Sequence, residues 1–235
     1  MTTPEAPAAP TALGPVEQLR AGRLGRRLPQ LYLGLVLYGF SMAMMVRSDL
    51  GLAPWDVLHE GLTRWLPWSY GTVTIAVGVV VLLMWIPLRQ RPGLGTVSNV
   101  LVIGLSVDVG LALLSTPTSL LLKATLLVLG VVGNGLAGAV YIGSQFGAGP
   151  RDGLMTGLAR RTGASLRLVR TGIEVTVLGL GFLLGGTVGL GTVLYAVGIG
   201  PLIQLFLPFV AVRLAPQTAP PATPALSGTA MPPTA

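Results

Sequence analysis

Long apolar runs joined by short polar segments dominate the chain, at roughly 30–47, 69–88, 95–114, 119–142, 168–187 and 190–212. Each approaches the ~20 residues a helix needs to cross a hydrocarbon layer ~30 Å thick. The pattern predicts an all-α membrane protein with six crossings. Two intervening stretches are too polar and too short to span: GLAPWDVLHEGL at 51–62 and GAGPRDGLMTGL at 147–158. In each, a proline (Pro54, Pro150) suits the first helical position, where a missing N–H costs nothing. An aspartate two residues on (Asp56, Asp152) meets the free N–H groups and positive dipole end of the first turn. Gly147 and Gly149 give the chain freedom to turn into the second of these helices. Two short helices of about ten residues are therefore expected. They either lie at the membrane interfaces, with the aspartates acting as caps, or re-enter the bilayer and aim their starts at a ligand. Trp55 suits an interface anchor and Arg151 a surface position.

The two stretches belong to a larger repeat. Shifted by 96 residues, 31–111 pairs with 127–207 without a gap, and about a third of the positions are identical. Matches in Leu, Val and Gly arise easily in apolar sequence. The matched Pro54/Pro150, Asp56/Asp152, Arg64/Arg160 and the GLGTV copies at 93–97 and 189–193 do not. In each GLGTV a threonine, Thr96 or Thr192, is placed to cap the following helix. With three spans per repeat, the second repeat enters the membrane inverted relative to the first, a plan found in secondary transporters and in channels. The expected organisation is a disordered tail over 1–28, one repeat over 29–114, the second over 115–213, and a disordered tail over 214–235.

Charge supports that orientation. With the N-terminus inside, 12 Lys and Arg fall on the cytoplasmic side and Arg47, Arg64 and Lys123 outside, the bias expected of a cytoplasmic-membrane protein with both termini cytoplasmic. Only 10% of residues are charged and the mean hydropathy is +0.74, too little charge to cover a soluble surface. The net charge of +7 is spread over short joints rather than gathered on one face, so nucleic acid is not an expected partner. The chain has no cysteine and one histidine, His59, which removes thiol nucleophiles and Cys/His zinc sites. Without a Ser/His/Asp set or paired-carboxylate site, neither enzymatic activity nor a cofactor or metal is expected.

Ionisable and amide groups inside the spans are the remaining candidates, because each costs about 2.5–3.5 kcal/mol to insert. Asp108 and Gln204 occupy equivalent positions of the two repeats and suit a site near the midplane. Arg170 and Glu174 lie four residues apart on one helical face and either neutralise each other or serve a ligand. Asn99 and Asn134 add amides that either line a site or link helices. His59 reads as an interfacial polar residue. Together with Pro54, Asp56, Pro150, Arg151 and Asp152, the residues Asn99, Asp108, Arg170, Glu174 and Gln204 form the candidate site, ten in all.

At GLAPWDVLHEGL, YIGSQFGAGPRDGLMTGL, RTGIEVTVLGLGFLLGGTVGLGT and the closing IGP, the chain resembles the YczE/YyaS/YitT-type bacterial membrane proteins over about residues 30–212. The resemblance implies a multi-spanning inner-membrane protein and supplies neither substrate nor site residues. Ala53 stands where that family more often has glycine. The expected function is a transporter or channel for a small solute or ion. The alternative is an accessory protein that supports a membrane partner, with a second copy or another membrane protein as companion.

Overall fold

The computed structural model describes residues 15–214, which form helices and connecting loops with no strand among the described residues. The parts of the expected tails at 1–14 and 215–235 lie outside the described residues. Residues 15–28, assigned to the N-terminal tail, prove to be mostly helical: α1 (Pro15–Arg20) leads into α2 (Leu24–Ser48). The reason is Arg27, a fully buried side chain that fastens this end of the chain to the rest. Its Nε donates to Ser144 O (2.9 Å), Nη1 to Gln18 O (2.7 Å) and Gly22 O (3.2 Å), and Nη2 to Gln145 O (2.9 Å). An arginine four residues ahead of an apolar run looks like a topology signal, and its carbonyl partners are invisible in one dimension.

The remaining helices are α3 (Pro54–Thr63), α4 (Tyr70–Leu83), α5 (Leu94–Leu113), α6 (Leu120–Gly143), α7 (Pro150–Thr162), α8 (Leu166–Leu183) and α9 (Leu190–Val210). Four of them, α2, α5, α6 and α9, are long and apolar enough to cross a bilayer, at 25, 20, 24 and 21 residues. Six were expected. α4 runs for only 14 residues before the chain turns at Met84, and the 18-residue α8 carries Arg167, Arg170 and Glu174. The helix starts keep the register of the sequence repeat: α2 and α6, α3 and α7, α4 and α8, and α5 and α9 each begin 96 residues apart.

The halves are interlocked. α2 packs along α6 at the centre, α3 packs against α8 of the other half, and α7 against α4. The loop before each short helix clips onto the start of a long helix in the opposite half: Gly191 N–H donates to Leu50 O (2.8 Å), and at the equivalent positions Gly95 N–H donates to Phe146 O (2.9 Å). Gly51 (φ 113°) and Gly147 (φ 103°) make the turns that present those carbonyls. That region favours glycine, since a Cβ there meets its own backbone. The glycines of GLGTV are thus landing sites as well as turn residues: a Cβ at Gly189 would fall 2.5 Å from Leu50 O. The capping role of the threonines holds. Thr96 Oγ1 accepts from Gly93 N–H (3.1 Å) and Thr192 Oγ1 from Gly189 N–H (3.2 Å).

α3 is packed inside the bundle, and α7 buries one side, with Pro150, Gly153, Leu154, Met155 and Gly157. In α3, Pro54, Trp55, Asp56, Val57, His59 and Gly61 are all buried, which a helix lying on an interface would not show. Close approach needs glycine on one side of each crossing: a Cβ at Gly181 on α8 would lie 2.4 Å from Leu58 N, and one at Gly153 on α7 would lie 2.0 Å from Trp85 Cζ2. Trp85 and Gly181 are equivalent positions, so the bulky partner sits beyond α4 in one half and on α3 in the other. Gly153→Ala should therefore cost about 1–3 kcal/mol by overpacking, read as a lower Tm of the purified protein. Trp85→Phe should recover part of that loss in the double variant, and an unchanged Tm for Gly153→Ala would refute the contact.

Candidate functional site

Where the starts of α3 and α7 approach each other, a cavity of about 330 Å³ opens between the halves. Pro54 and Trp55 line it from one helix, and Pro150, Arg151 and Asp152 from the other. Asn99, Arg170, Glu174 and Gln204 line it as well. Eight of the ten candidate residues therefore share one cavity wall, a convergence that separate interfacial helices would not produce. The walls are completed by apolar side chains and by Tyr38, Tyr141 and Tyr195.

Arg151 departs most from expectation. Instead of facing the cytoplasm, its guanidinium lies 5.0 Å from the centre of the Trp55 ring and 3.8 Å from Asp56 Oδ1. Trp55 and Arg151 are equivalent positions of the sequence repeat, so the two helix starts meet at matched positions. Trp55 is only 7% exposed and is no interface anchor. Asp56 is buried beside Arg151, with His59 Nδ1 3.4 Å from its Oδ1. Tyr70 OH donates to the Asp56 carbonyl (3.2 Å) and Thr74 Oγ1 lies 3.3 Å from His59 Nδ1. His59 is therefore a core residue, 1% exposed, and not an interfacial one. Trp55 Nε1, Asp56 Oδ1 and His59 Nε2 are buried without a hydrogen-bond partner.

Asp152, the counterpart of Asp56, is exposed to the cavity. Its Oδ2 accepts from Tyr141 OH at 3.3 Å, and it forms no ion pair within the 4.0 Å reach of those found among the described residues. Neither aspartate side chain accepts a backbone N–H of its own helix, so capping does not account for them. Gly149 has an ordinary negative φ (−62°). Its missing side chain matters for room: a Cβ there would lie 3.0 Å from Tyr141 Oη, 3.3 Å from Asp152 Oδ2 and 3.7 Å from Asn99 Nδ2. Trp85 Nε1 donates to Pro150 O (2.9 Å) and fixes the first residue of α7.

Arg170 and Glu174 pair as their spacing predicts, Nε to Oε1 at 3.0 Å. Asp108 and Gln204 part company. Gln204 faces the cavity, but Asp108 sits at the start of α4, accepting from Gly71 N–H (2.7 Å) and Ser69 Oγ (2.5 Å). Equivalent sequence positions diverge here because α4 packs on α5 while α8 makes no comparable contact with α9. The α4–α5 crossing rests on glycine: a Cβ at Gly71 would fall 2.0 Å from Gly104 O, and one at Gly78 3.0 Å from Val100 Cγ1. Their counterparts in α8 are Arg167 and Glu174, side chains too large for that approach. The α8–α9 side consequently stays apart and polar, and it gives the cavity its Arg170, Glu174, Tyr195 and Gln204 wall.

Sequence reasoning missed the tyrosines. Tyr38 OH lies 3.3 Å from Tyr195 OH, which donates to Asn134 Oδ1 (3.1 Å), and Asn134 Nδ2 donates to Ser41 Oγ (3.1 Å). Asn134 thus links α2, α6 and α9. The signal was available: belts explain tyrosines near helix ends, whereas Tyr38 lies well inside a long apolar run.

The GxxP–Asp helix starts and the GLGTV landing sites all lie within the region that the model of a protein family matches, residues 25–208. The chain belongs to the family of unknown function DUF6198. Its four long apolar helices make it a membrane protein. Relatives of this family include an uncharacterized protein of Haemophilus influenzae, 40% identical over 181 residues, which cover 77% of this chain and 83% of that one. The uncharacterized membrane protein YczE of Bacillus subtilis is 32% identical, over 75% of this chain and 83% of its own length. YyaS of the same organism, an uncharacterized protein, is 26% identical over 76% of this chain and 90% of its own. No solved structure matches the chain.

Proposed function

We propose that the chain is a six-crossing, inverted-repeat protein of the bacterial cytoplasmic membrane, and that its central cavity takes up a small solute or ion for passage across the bilayer. Both termini are cytoplasmic in this reading. α4 and α8 complete the crossings by drawing on the turn residues that follow them, and α3 and α7 are re-entrant. The observation that carries the proposal is the meeting of the two equivalent helix starts at Trp55 and Arg151 on one largely apolar cavity that carries charged side chains. Interrupted helices at a repeat interface are where inverted-repeat transporters bind their cargo. Buried ionisable groups also persist in a membrane chiefly where they pair or serve a pathway.

Thermal unfolding of the purified protein against a panel of small solutes tests this. At least one solute should raise the Tm, and both Asp152→Asn and Glu174→Gln should weaken the shift. A solute-induced shift untouched by either substitution would remove the cavity from the function. The absence of any shift would favour the accessory role, in which the protein acts through a membrane partner.

A further inference from the structure

We infer that the cavity selects a small organic cation, an amine or quaternary ammonium with an apolar body. This rests on the cavity being the binding site.

Charge is the first reason. The cavity lining holds two carboxylates, Asp152 and Glu174, and two guanidiniums, Arg151 and Arg170, and Arg151 also faces a third carboxylate, the buried Asp56. Glu174 holds Arg170 (3.0 Å) and Asp56 is paired to Arg151 (3.8 Å). His59 is buried beside Asp56 and does not line the cavity. Asp152 has no ion pair of its own: its carboxylate faces the cavity with a single hydrogen bond, from Tyr141, and Arg170 and Arg151 act on it only at longer range. In surroundings of low polarity a carboxylate without a direct ion pair is costly, and a cation in the cavity supplies a close counter-charge.

The second reason is the wall. Tyr38, Tyr141, Tyr195 and Trp55 line the same space, with Tyr38 and Tyr141 edge to face at 6.2 Å. Aromatic faces attract cations and form the cages that recognise quaternary ammonium groups. Arg151 already lies over the Trp55 ring, so the tyrosines are the surfaces left to a ligand.

A bare helix start favours an anion, since free N–H groups and dipoles attract negative charge there. Here each first turn carries its own carboxylate, Asp56 or Asp152. An anion approaching either start meets that carboxylate, and the cation wins.

The test is calorimetric titration of the full-length purified protein with benzyltrimethylammonium, benzyl alcohol and phenylacetate. The ammonium should bind at least about tenfold more tightly than the other two. Asp152→Asn should abolish that preference, and Asp152→Glu, which keeps the charge, should retain it. Arg170→Gln should tighten ammonium binding by removing a like charge, an effect that a merely structural disturbance would not give. Phenylacetate or benzyl alcohol binding as tightly as the ammonium, with the preference unmoved by Asp152→Asn, would overturn the cation assignment and leave the cavity standing as a site. If none of the probes binds, and no solute of the thermal panel does, both the assignment and the cavity reading fall.

Discussion

Arg27→Ala is expected to be the most damaging single substitution in the N-terminal half. The guanidinium is fully buried and donates to four backbone carbonyls that belong to α1, its following turn and the end of α6. It also lies 4.2 Å from the centre of the Phe146 ring, whose carbonyl holds Gly95. Hydrogen bonds from a charged donor contribute about 1.5–3 kcal/mol each, and acceptors stranded without them add a desolvation cost. Some of those carbonyls regain water once the side chain is gone, so the net loss is on the order of 4 kcal/mol, a large share of typical stability. Arg27→Lys should recover little, because a point charge cannot span a fork of acceptors in different directions. Thermal unfolding of the variants checks this, and an Arg27→Ala protein within about 1 kcal/mol of the parent would contradict the clamp.

The second large effect is at the meeting of the repeats. Arg151→Ala removes the counter-charge of Asp56, whose side chain is 4% exposed. Stranding one member of a buried ion pair costs about 3–5 kcal/mol. Arg151 keeps partial access to the cavity, so a value near the lower end, about 3 kcal/mol, is expected here. Asp56→Asn should also destabilise, and the double variant should lose clearly less than the sum, with a coupling of about 1–3 kcal/mol. Strict additivity would mean that Arg151 and Asp56 do not interact. Because Asp56 also touches His59, the cycle should be repeated with His59→Gln to separate the two contacts.

These two arginines show where one-dimensional reading runs out. The repeat, the four pairs of helix starts and the threonine caps were legible because each is a local or periodic signal: a proline at a helix start, a carboxylate in the first turn, a glycine at a turn. Most of the candidate site was legible for the same reason, since ionisable groups stand out in apolar helices. The partners were not. Arg151 follows a proline and precedes an aspartate, a context that suits a surface helix start, and its real partner is the tryptophan 96 positions earlier. Arg27 reads as a topology signal because its acceptors are carbonyls, which every residue has.

The repeat also misled where its halves diverge. Asp108 and Gln204 occupy equivalent positions, but only Gln204 reaches the cavity. The cause lies elsewhere, in Gly71 and Gly78 being replaced by Arg167 and Glu174. Glycine against arginine looks like tolerated drift in a list of mismatches; in space it decides which pair of helices closes and which stays open.

The inverted arrangement of the halves is the central claim, and the natural absence of cysteine makes it directly testable. Arg64 and Arg160 are exposed equivalents at the ends of α3 and α7. Single cysteines at these positions should react with a membrane-impermeant maleimide from opposite sides, position 64 in intact cells and position 160 only after the membrane is opened. Labelling of both positions from the same side would contradict it.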